Sequence, residues 1–182
     1  MKLLRIQEEV DGTNRKDFGK LYVEHATIDD AEYIAGRLRD ADQREISAVT
    51  RESPVQVLVD GVIHSDPCYV IKTRRGRPCG IFGTRDSEHP ESGVVWLLGT
   101  NDLTAESRTF IRNSKQILNE LHEKYKTLFN VIDARNAVHL RWLKWMGFEL
   151  VKTIPKYGVE QRTFILFTKH VCPSLNDTCP RK

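Results

Sequence analysis

Residues 133–148 read DARNAVHLRWLKWMGF. An apolar run from Leu128 to Ile132 precedes this segment and predicts a strand, and residues 136–146 have the spacing of a short helix. Gly147 is the residue type that most easily takes the left-handed conformation found just after a helix. Residues 148–154 then have the composition of another strand. The segment therefore predicts a strand–helix–strand unit.

The rest of the chain extends this pattern towards both ends. Thr27 and Ser53-Pro54 are typical helix starts, Thr104 is predicted to cap a long helix that runs to about Tyr125, and residues 74–78 are predicted to close a hairpin. The predicted strands lie near residues 20–26, 68–73, 79–84, 93–98, 128–132, 148–154 and 161–168, and the predicted helices near 28–38, 42–51, 54–63, 104–125 and 136–146. The order is β-α-α-α-β-β-β-α-β-α-β-β, which predicts an α/β fold with a mixed sheet of about seven strands flanked by helices on both faces.

The domain organisation follows from length and composition. A chain of 182 residues with 40% hydrophobic and 29% charged residues is of the size and composition of one soluble domain. We expect residues 1–19 to form an N-terminal arm, residues 20–170 the domain, and residues 171–182, with Pro173 and Pro180, a flexible C-terminal tail.

Charge is distributed unevenly along the chain. Residues 1–66 hold nine Lys/Arg and fourteen Asp/Glu, a balance of −5, and residues 67–182 hold nineteen and eleven, a balance of +8. The densest basic cluster is the predicted hairpin, with Lys72, Arg74, Arg75 and Arg77. It is a candidate surface for an acidic partner protein or nucleic acid, although hairpin tips are also basic for solubility alone.

Several classes of site lack support in the sequence. Four cysteines, Cys68, Cys79, Cys172 and Cys179, form no C-x-x-C pair, so we expect free thiols and no zinc or redox site. The histidines have no Cys or carboxylate partners at metal-ligand spacing. The N-terminal MKLLR has no apolar region and no run approaches 18 apolar residues, so neither export nor a membrane location is expected.

The predicted order and one motif resemble the GNAT N-acetyltransferases. These enzymes carry an Asn followed by Ala three residues on, Tyr seven on, and Gly-Phe at eleven and twelve; here Asn136, Gly147 and Phe148 keep that spacing. The resemblance covers roughly residues 20–170. It implies the GNAT fold, with acetyl-CoA as the cofactor of an active member.

A narrower resemblance concerns three phrases, WLLGT at residues 96–100, FIRNS at 110–114 and RWLKWMGF at 141–148. Their combined wording is similar to that of the internal virion protein A family of short-tailed bacteriophages (podoviruses). This resemblance implies a protein of virion morphogenesis, found in the virion or the host cytoplasm, whose partners are other virion proteins and possibly packaged DNA.

The residues expected to bind acetyl-CoA are poorly matched. GNAT enzymes hold its pyrophosphate on an Arg-Gly-x-Gly-x-Gly loop, whose exposed N–H groups lie at a helix start. Residues 103–108 occupy that place without a glycine, and Glu106 puts a negative charge there. If the cofactor binds nonetheless, the candidate residues are Leu98, Thr100, Arg108, Asn136 and His139.

The catalytic Tyr of the family is also missing. Its position is taken by Leu143, which cannot protonate a leaving thiolate. Helical spacing groups Asn136, His139 and Leu143 on one face of the helix; it groups Val138, Trp142, Trp145 and Met146 on another, which we expect to be core.

Three functions remain open at this point. The first is a non-catalytic virion protein on a degenerate GNAT scaffold, with no catalytic residue, no metal and no cofactor. The second is an active acetyl-CoA-dependent N-acetyltransferase with a non-standard phosphate loop. The third is a host-directed binding module. Binding of coenzyme A separates the second function from the others.

Overall fold

A computed structural model describes residues 15–171, which form one eight-stranded sheet covered by helices on both faces. The strands are β1 (Lys16–Asp17), β2 (Leu21–His25), β3 (Cys68–Thr73), β4 (Pro78–Asp86), β5 (Ser92–Gly99), β6 (Thr127–Asp133), β7 (Glu149–Tyr157) and β8 (Arg162–His170). The helices are α1 (Ile28–Ala35), α2 (Asp40–Val49), α3 (Pro54–His64), α4 (Asn101–Ala105), α5 (Ser107–Lys124) and α6 (Ala137–Trp145). The predicted mixed sheet with helices on both faces is confirmed.

The sheet order is β1-β2-β3-β4-β5-β6-β8-β7. All neighbouring strands are antiparallel except β5 and β6, which run parallel because α5 carries the chain back between them. β8 lies between β6 and β7, so the last strand of the chain is inside the sheet and β7 forms its edge. The parallel pair at the centre is where the candidate site forms.

Local signals place most element ends correctly. Thr27 and Ser53 each form a capping box, in which the cap side chain accepts from the backbone three residues on and the side chain there accepts from the cap N–H. Asn136 caps α6 by accepting from the N–H of His139. Gly147 follows α6 with φ +84°, the left-handed conformation that a Cβ would strain.

The start of the long helix differs from the prediction. Thr100, and not Thr104, is the cap, and it begins the short α4. α5 begins only at Ser107, with Glu106 as a cap residue that makes no side-chain cap bond. Leu103 of α4 is buried against β4 and β5, close to Gly80 and Gly99. The predicted helix from Thr104 to about Tyr125 is therefore two helices that meet at Glu106, and the first begins before Thr104.

The sheet begins earlier in the chain than predicted. β1 lies within the predicted arm and pairs with β2, which gives the sheet its eighth strand. Residues 1–14 of the arm and residues 172–182, most of the predicted tail, lie outside the described residues, as do Cys172 and Cys179. Cys68 and Cys79 are free and buried, and burial raises the pKa of each thiol to about 12.

Two apolar layers enclose the sheet. α1, α2 and α3 pack on one face, against side chains that include Val70 and Ile81. α4, α5 and α6 pack on the other, against side chains that include Ile71 and Leu128. No helix among the described residues is long and apolar enough to cross a membrane.

The predicted core face of α6 is partly wrong. Leu143 and Met146 are buried and Trp142 is half-buried, but Val138 is 60% and Trp145 48% exposed. α6 lies on the sheet along the Asn136–Leu143 side, so the other side of the helix faces outward. Apolar residue type alone did not reveal this orientation.

Candidate active site

The parallel strands β5 and β6 separate after three residue pairs. Ser92 to Val94 pair with Thr127 to Phe129, and no pairing follows. The cause is Asn130, whose Nδ2 donates to the carbonyl of Val95 at 2.9 Å while its Oδ1 accepts from the N–H of Val131 at 2.7 Å. The side chain thus takes the two backbone groups that would have formed the next ladder hydrogen bond, and the strands diverge beyond it.

The divergence leaves backbone groups of β5 facing a gap. Backbone direction alternates along a strand. Val95 turns its carbonyl to Asn130, and Gly99 donates its N–H to Asp42 Oδ2 at 2.8 Å and accepts from the N–H of Arg39 at 3.0 Å. Leu97 lies between them with the same orientation. Its N–H and C=O therefore point into the gap, where an extended ligand can pair with them.

A cleft of about 420 Å³ occupies this gap. It is mainly apolar and is lined from both faces of the sheet, by α2 on one face and by α5 and α6 on the other. Its lining includes Glu45, Leu98, Phe110, Ile132, His139 and Trp142. Apolar walls with a few polar groups are typical of a small-molecule site.

Glu45 is the acidic group of the cleft. It reaches in from α2, and Asn136 Nδ2 donates to its Oε2 at 3.4 Å. Burial raises the pKa of the Glu45 carboxyl to about 7, and the negative charges of Asp42 and Asp133 add to the effect against the hydrogen bond from Asn136. A carboxyl with such a pKa exchanges protons readily at neutral pH.

His139 lines the same cleft from α6. Its ring stacks on Trp142 with 5.1 Å between ring centroids and 15° between planes, and its Nδ1 lies 3.4 Å from Asn136 Nδ2. Burial, helped by the positive charge of Arg39, lowers the pKa of His139 to about 3, so the imidazole is neutral at pH 7. Asn136 contacts both side chains and thereby links the two faces of the sheet.

A buried ion pair fixes the end of β5 beside the cleft. Arg39 makes a two-point contact with Asp42, with Nη2–Oδ1 at 2.7 Å and Nε–Oδ2 at 2.9 Å, and Asp42 is only 1% exposed. Burial raises the pKa of Asp42 and outweighs the effect of Arg39. Because Asp42 also accepts from Gly99, the pair connects α2 to the last residue of β5.

The start of α5 does not fit a pyrophosphate. α4 and the buried Leu103 fill the space directly after β5, and the side chain of Glu106 carries a negative charge at the helix start, where the helix dipole favours an anion. Thr109 and Phe110 both donate their N–H groups to the Glu106 carbonyl. These are the ordinary first hydrogen bonds of a helix, and the Glu106 carboxylate itself lies 3.6 Å from Lys20 Nζ. The cleft does not extend to this point.

The candidate cofactor residues are separated by the structure. Leu98 and His139 line the cleft, and Asn136 contacts His139 at its edge. Thr100 is buried and bonded within α4, and Arg108 is exposed on α5 outside the cleft. Sequence reasoning missed Glu45 and Asn130, since their partners lie 91 and 35 residues away in the chain. It had assigned Trp142 to the core.

The basic hairpin has partners within the chain. Lys72 contacts Glu24 and Asp30, at 2.8 and 2.9 Å. Arg74 contacts Asp17 at 2.9 Å, and Arg77 lies 3.7 Å from Asp102. Within residues 15–171, Arg75 alone of the four cations has no carboxylate partner. No group of three metal-ligating side chains occurs in this range either.

Comparison with solved structures identifies the fold. A ribosomal-protein-S5-alanine acetyltransferase from Vibrio fischeri superposes with a TM-score of 0.67 at 16% identity, over 86% of this chain and 96% of that one. The chain has the GNAT fold. A GNAT-family acetyltransferase from Bacillus anthracis gives 0.65 at 10% identity, over 86% and 98%. A ribosomal-protein-alanine N-acetyltransferase from Brucella melitensis gives 0.63 at 18%, over 82% and 99%.

The superpositions establish the GNAT fold. The sequence identities are too low to establish a family within that fold. No protein-family profile matches the sequence, and no curated protein does. Among the described residues, β5 and β6 are the only parallel pair of neighbouring strands, and they separate to form the gap. The cleft, the Glu45 carboxyl and the free backbone of Leu97 all lie at that gap.

Proposed function

We propose that the cleft is an acyl-transfer site, in which an acyl thioester of the acetyl-CoA type meets a primary amine. The observation that carries the proposal is the Glu45 carboxyl, whose pKa of about 7 suits a general base at neutral pH. It lies at the gap between two diverging parallel strands, where an extended arm can pair with Leu97. Acetyl-CoA would supply an activated acyl group.

The residues of the chain have distinct tasks in this proposal. The backbone of Leu97 and the apolar walls hold the acyl-bearing arm, and exclude water from it. Glu45 would take the proton that the attacking amine loses as its nitrogen bonds to the acyl carbon. The acyl carbon–sulfur bond would then break, and coenzyme A would leave as a thiolate that takes its proton from solvent, because Leu143 cannot donate one. Asn136 orients the Glu45 carboxyl by its hydrogen bond, and neutral His139 adds no positive charge that would repel the protonated amine.

The phosphates fit the described residues less well. Since Glu106 and Leu103 occupy the usual place at the start of α5, the pyrophosphate must lie outside the standard loop. The proposal is therefore an acetyl-CoA-dependent N-acyltransferase with a non-standard phosphate site.

Two measurements test this function. Acetyl-CoA at a hundred times its dissociation constant should add about 2.7 kcal/mol to the free energy of unfolding, seen as a raised melting temperature. Thiol release from acetyl-CoA with a panel of primary amines should fall about a hundredfold in Glu45→Gln, a typical loss for a general base. Ser47→Ala, on the exposed side of α2, is the matched control and should keep full activity.

A second function is favoured by two specific observations. Leu143 stands where the family has its proton-donating Tyr, and Glu106 blocks the phosphate site. Both agree with a non-catalytic protein. The resemblance to the internal virion proteins gives such a protein its proposed role, in the virion or host cytoplasm, in bacteriophage morphogenesis through contacts with other virion proteins. Absence of both a melting shift and thiol release would support it against the acyltransferase, and detection of the chain in purified particles by mass spectrometry would test it directly.

A further inference from the structure

A row of cations follows the outer side of α5. Arg108, Arg112 and Lys115 are four and three residues apart, so they lie on one stripe of the helix, and all three are exposed. The buried stripe of the same helix, with Phe110, Ile117 and Leu121, is nearly opposite. The cations are therefore turned away from the sheet.

A matching stripe on α6 lies beside it. Val138, Arg141 and Trp145 are spaced at three and four residues and are all exposed. Two contacts join the helices: the rings of Phe110 and Trp142 are 5.1 Å apart, and Lys115 Nζ lies 4.7 Å from the centre of the Trp145 ring. We call the surface formed by Arg108, Arg112, Lys115, Arg141 and Trp145 the α5/α6 outer face.

The charge of this face is not neutralised by the described part of the chain. Residues 107–117 and 137–146 contain no Asp or Glu. Glu106 and Glu120, which bound the α5 stripe, contact Lys20 and Lys16 instead. Within residues 15–171, the four cations of the face have no carboxylate partner, in contrast to Lys72, Arg74 and Arg77 of the hairpin.

We propose that the α5/α6 outer face binds a single strand of nucleic acid. Guanidinium and ammonium groups bind phosphate oxygens, and guanidinium does so with two N–H groups at once. Trp145 is an exposed aromatic ring held in place by Lys115, and such rings stack on unpaired bases. Cations with an interleaved aromatic and no acid are the expected pattern of a single-strand surface, whereas an acidic protein would need no stacking ring.

This inference goes beyond the proposed acyl transfer and rests on other residues. The test uses the whole protein and a fluorescein-labelled oligothymidylate of about 20 nucleotides, with anisotropy measured between about 50 and 200 mM salt. If four cations each contact a phosphate, the logarithm of the binding constant should fall with the logarithm of salt with a slope of about −3. Glu45→Gln should bind equally well.

Two kinds of variant separate charge from stacking. Arg108→Gln with Arg112→Gln should reduce the salt slope by about half. Trp145→Ala should weaken binding about tenfold with the slope unchanged, and Trp145→Phe should restore most of the loss. The charge-matched control is Arg51→Gln with Lys152→Gln, two exposed cations elsewhere, which should bind like the parent. Melting temperatures should agree among all these variants, because the side chains are exposed.

Three results would overturn the proposal. One is failure of the parent to bind at the lowest salt. Another is an equal loss of affinity in the charge-matched control, which would indicate unspecific attraction. The third is equal binding of poly-glutamate with no effect of Trp145→Ala, which would assign the face to an acidic polypeptide.

Discussion

At the scale of single residues, Glu45 combines partial burial with like charges. Its folded pKa of about 7 stands against an ordinary value of 4.5. Between these values the folded chain holds more protons than the unfolded chain, so the free energy of unfolding falls as pH rises. At pH 8 the free energy of unfolding is lowered by the full amount, and near pH 4 it is not lowered. Ionisation of Glu45 thus lowers the free energy of unfolding.

Glu45→Gln removes this loss. We expect the variant to be more stable than the parent at pH 8, by about 1–3 kcal/mol, and equal to it near pH 4. Urea unfolding at both pH values measures the difference. Equal stability at pH 8 would mean that Glu45 has an ordinary pKa, and would remove the basis for its role as a base.

His139 has the opposite dependence. Its folded pKa of about 3 lies below the ordinary 6.5, so the unfolded chain takes up a proton first and stability is lost as pH falls from about 6.5 towards 3. His139→Gln, which is neutral throughout, should therefore lose less stability than the parent between pH 7 and pH 4. Parallel urea midpoints for the two proteins over this range would contradict the burial of His139.

The two tryptophans of α6 should respond differently to truncation. Trp142 packs between Phe110 and His139, so Trp142→Ala should destabilise the fold by about 3 kcal/mol. Trp145 is half exposed, and Trp145→Ala should change the free energy of unfolding by less than about 1 kcal/mol. Chemical unfolding of both variants checks the order, and a larger loss for Trp145→Ala would contradict the orientation of α6.

At the scale of elements, the separation of β5 from β6 depends on Asn130. Asn130→Ala leaves the Val95 carbonyl and the Val131 N–H without partners, at about 1–3 kcal/mol, unless the ladder closes by one more pair and narrows the cleft. We expect a loss of stability together with altered hydrogen exchange at the Val131 amide. Asn130→Asp keeps the acceptor for Val131 but loses the donor to Val95, so it should keep the parental exchange at that amide.

The break between α4 and α5 determines which charge lies at the start of the long helix. The break between them puts the Glu106 charge at the start of an 18-residue helix, where it interacts favourably with the helix dipole without accepting from a backbone N–H. The same charge disfavours a phosphate ligand. The Glu106 carboxylate and a cofactor pyrophosphate would therefore lie at the same helix start, where their negative charges repel each other.

At the scale of the whole molecule, two groups of cations differ in their partners within the described part of the chain. In the hairpin, Arg74 joins β3 to β1 through Asp17 and the carbonyl of Gly19, whereas Arg75 is exposed. The hairpin stays a proposed partner surface mainly through Arg75. A group of cations without carboxylate partners lies on the α5/α6 outer face, on the far side of the sheet from α1 to α3.

Charge reversal should distinguish Arg74, which contacts Asp17, from Arg75, which has no carboxylate partner among the described residues. Arg74→Glu places a carboxylate beside Asp17, so we expect it to lower the melting temperature and to expose residues around Lys16 to proteolysis. Arg75→Glu should leave both unchanged, which makes it the variant to use in assays of partner binding. Equal melting curves for the two variants would show that the contact between Arg74 and Asp17 contributes nothing to stability.

The sequence by itself determined the parts that depend on near neighbours in the chain. Capping at Thr27 and Ser53, the hairpin around Gly76, the apolar β5 and the helix end at Gly147 each rest on groups a few residues apart. Such signals act in any tertiary context, which is why the mixed sheet and its element order could be predicted from them. The sequence prediction started this helix late, at Thr104, because the burial of Leu103 close to Gly80 and Gly99 depends on how β4 and β5 fold.

Tertiary structure alone decided the candidate site. The Asn130–Val95 contact spans 35 residues, the Asn136–Glu45 contact 91, and the Arg74–Asp17 contact 57. The pKa of a carboxyl depends on how much water surrounding segments remove and on which charges they bring near. No local pattern encodes either quantity. For the same reason the sequence gives the number of cations but not which of them, on folding, remain without a carboxylate partner.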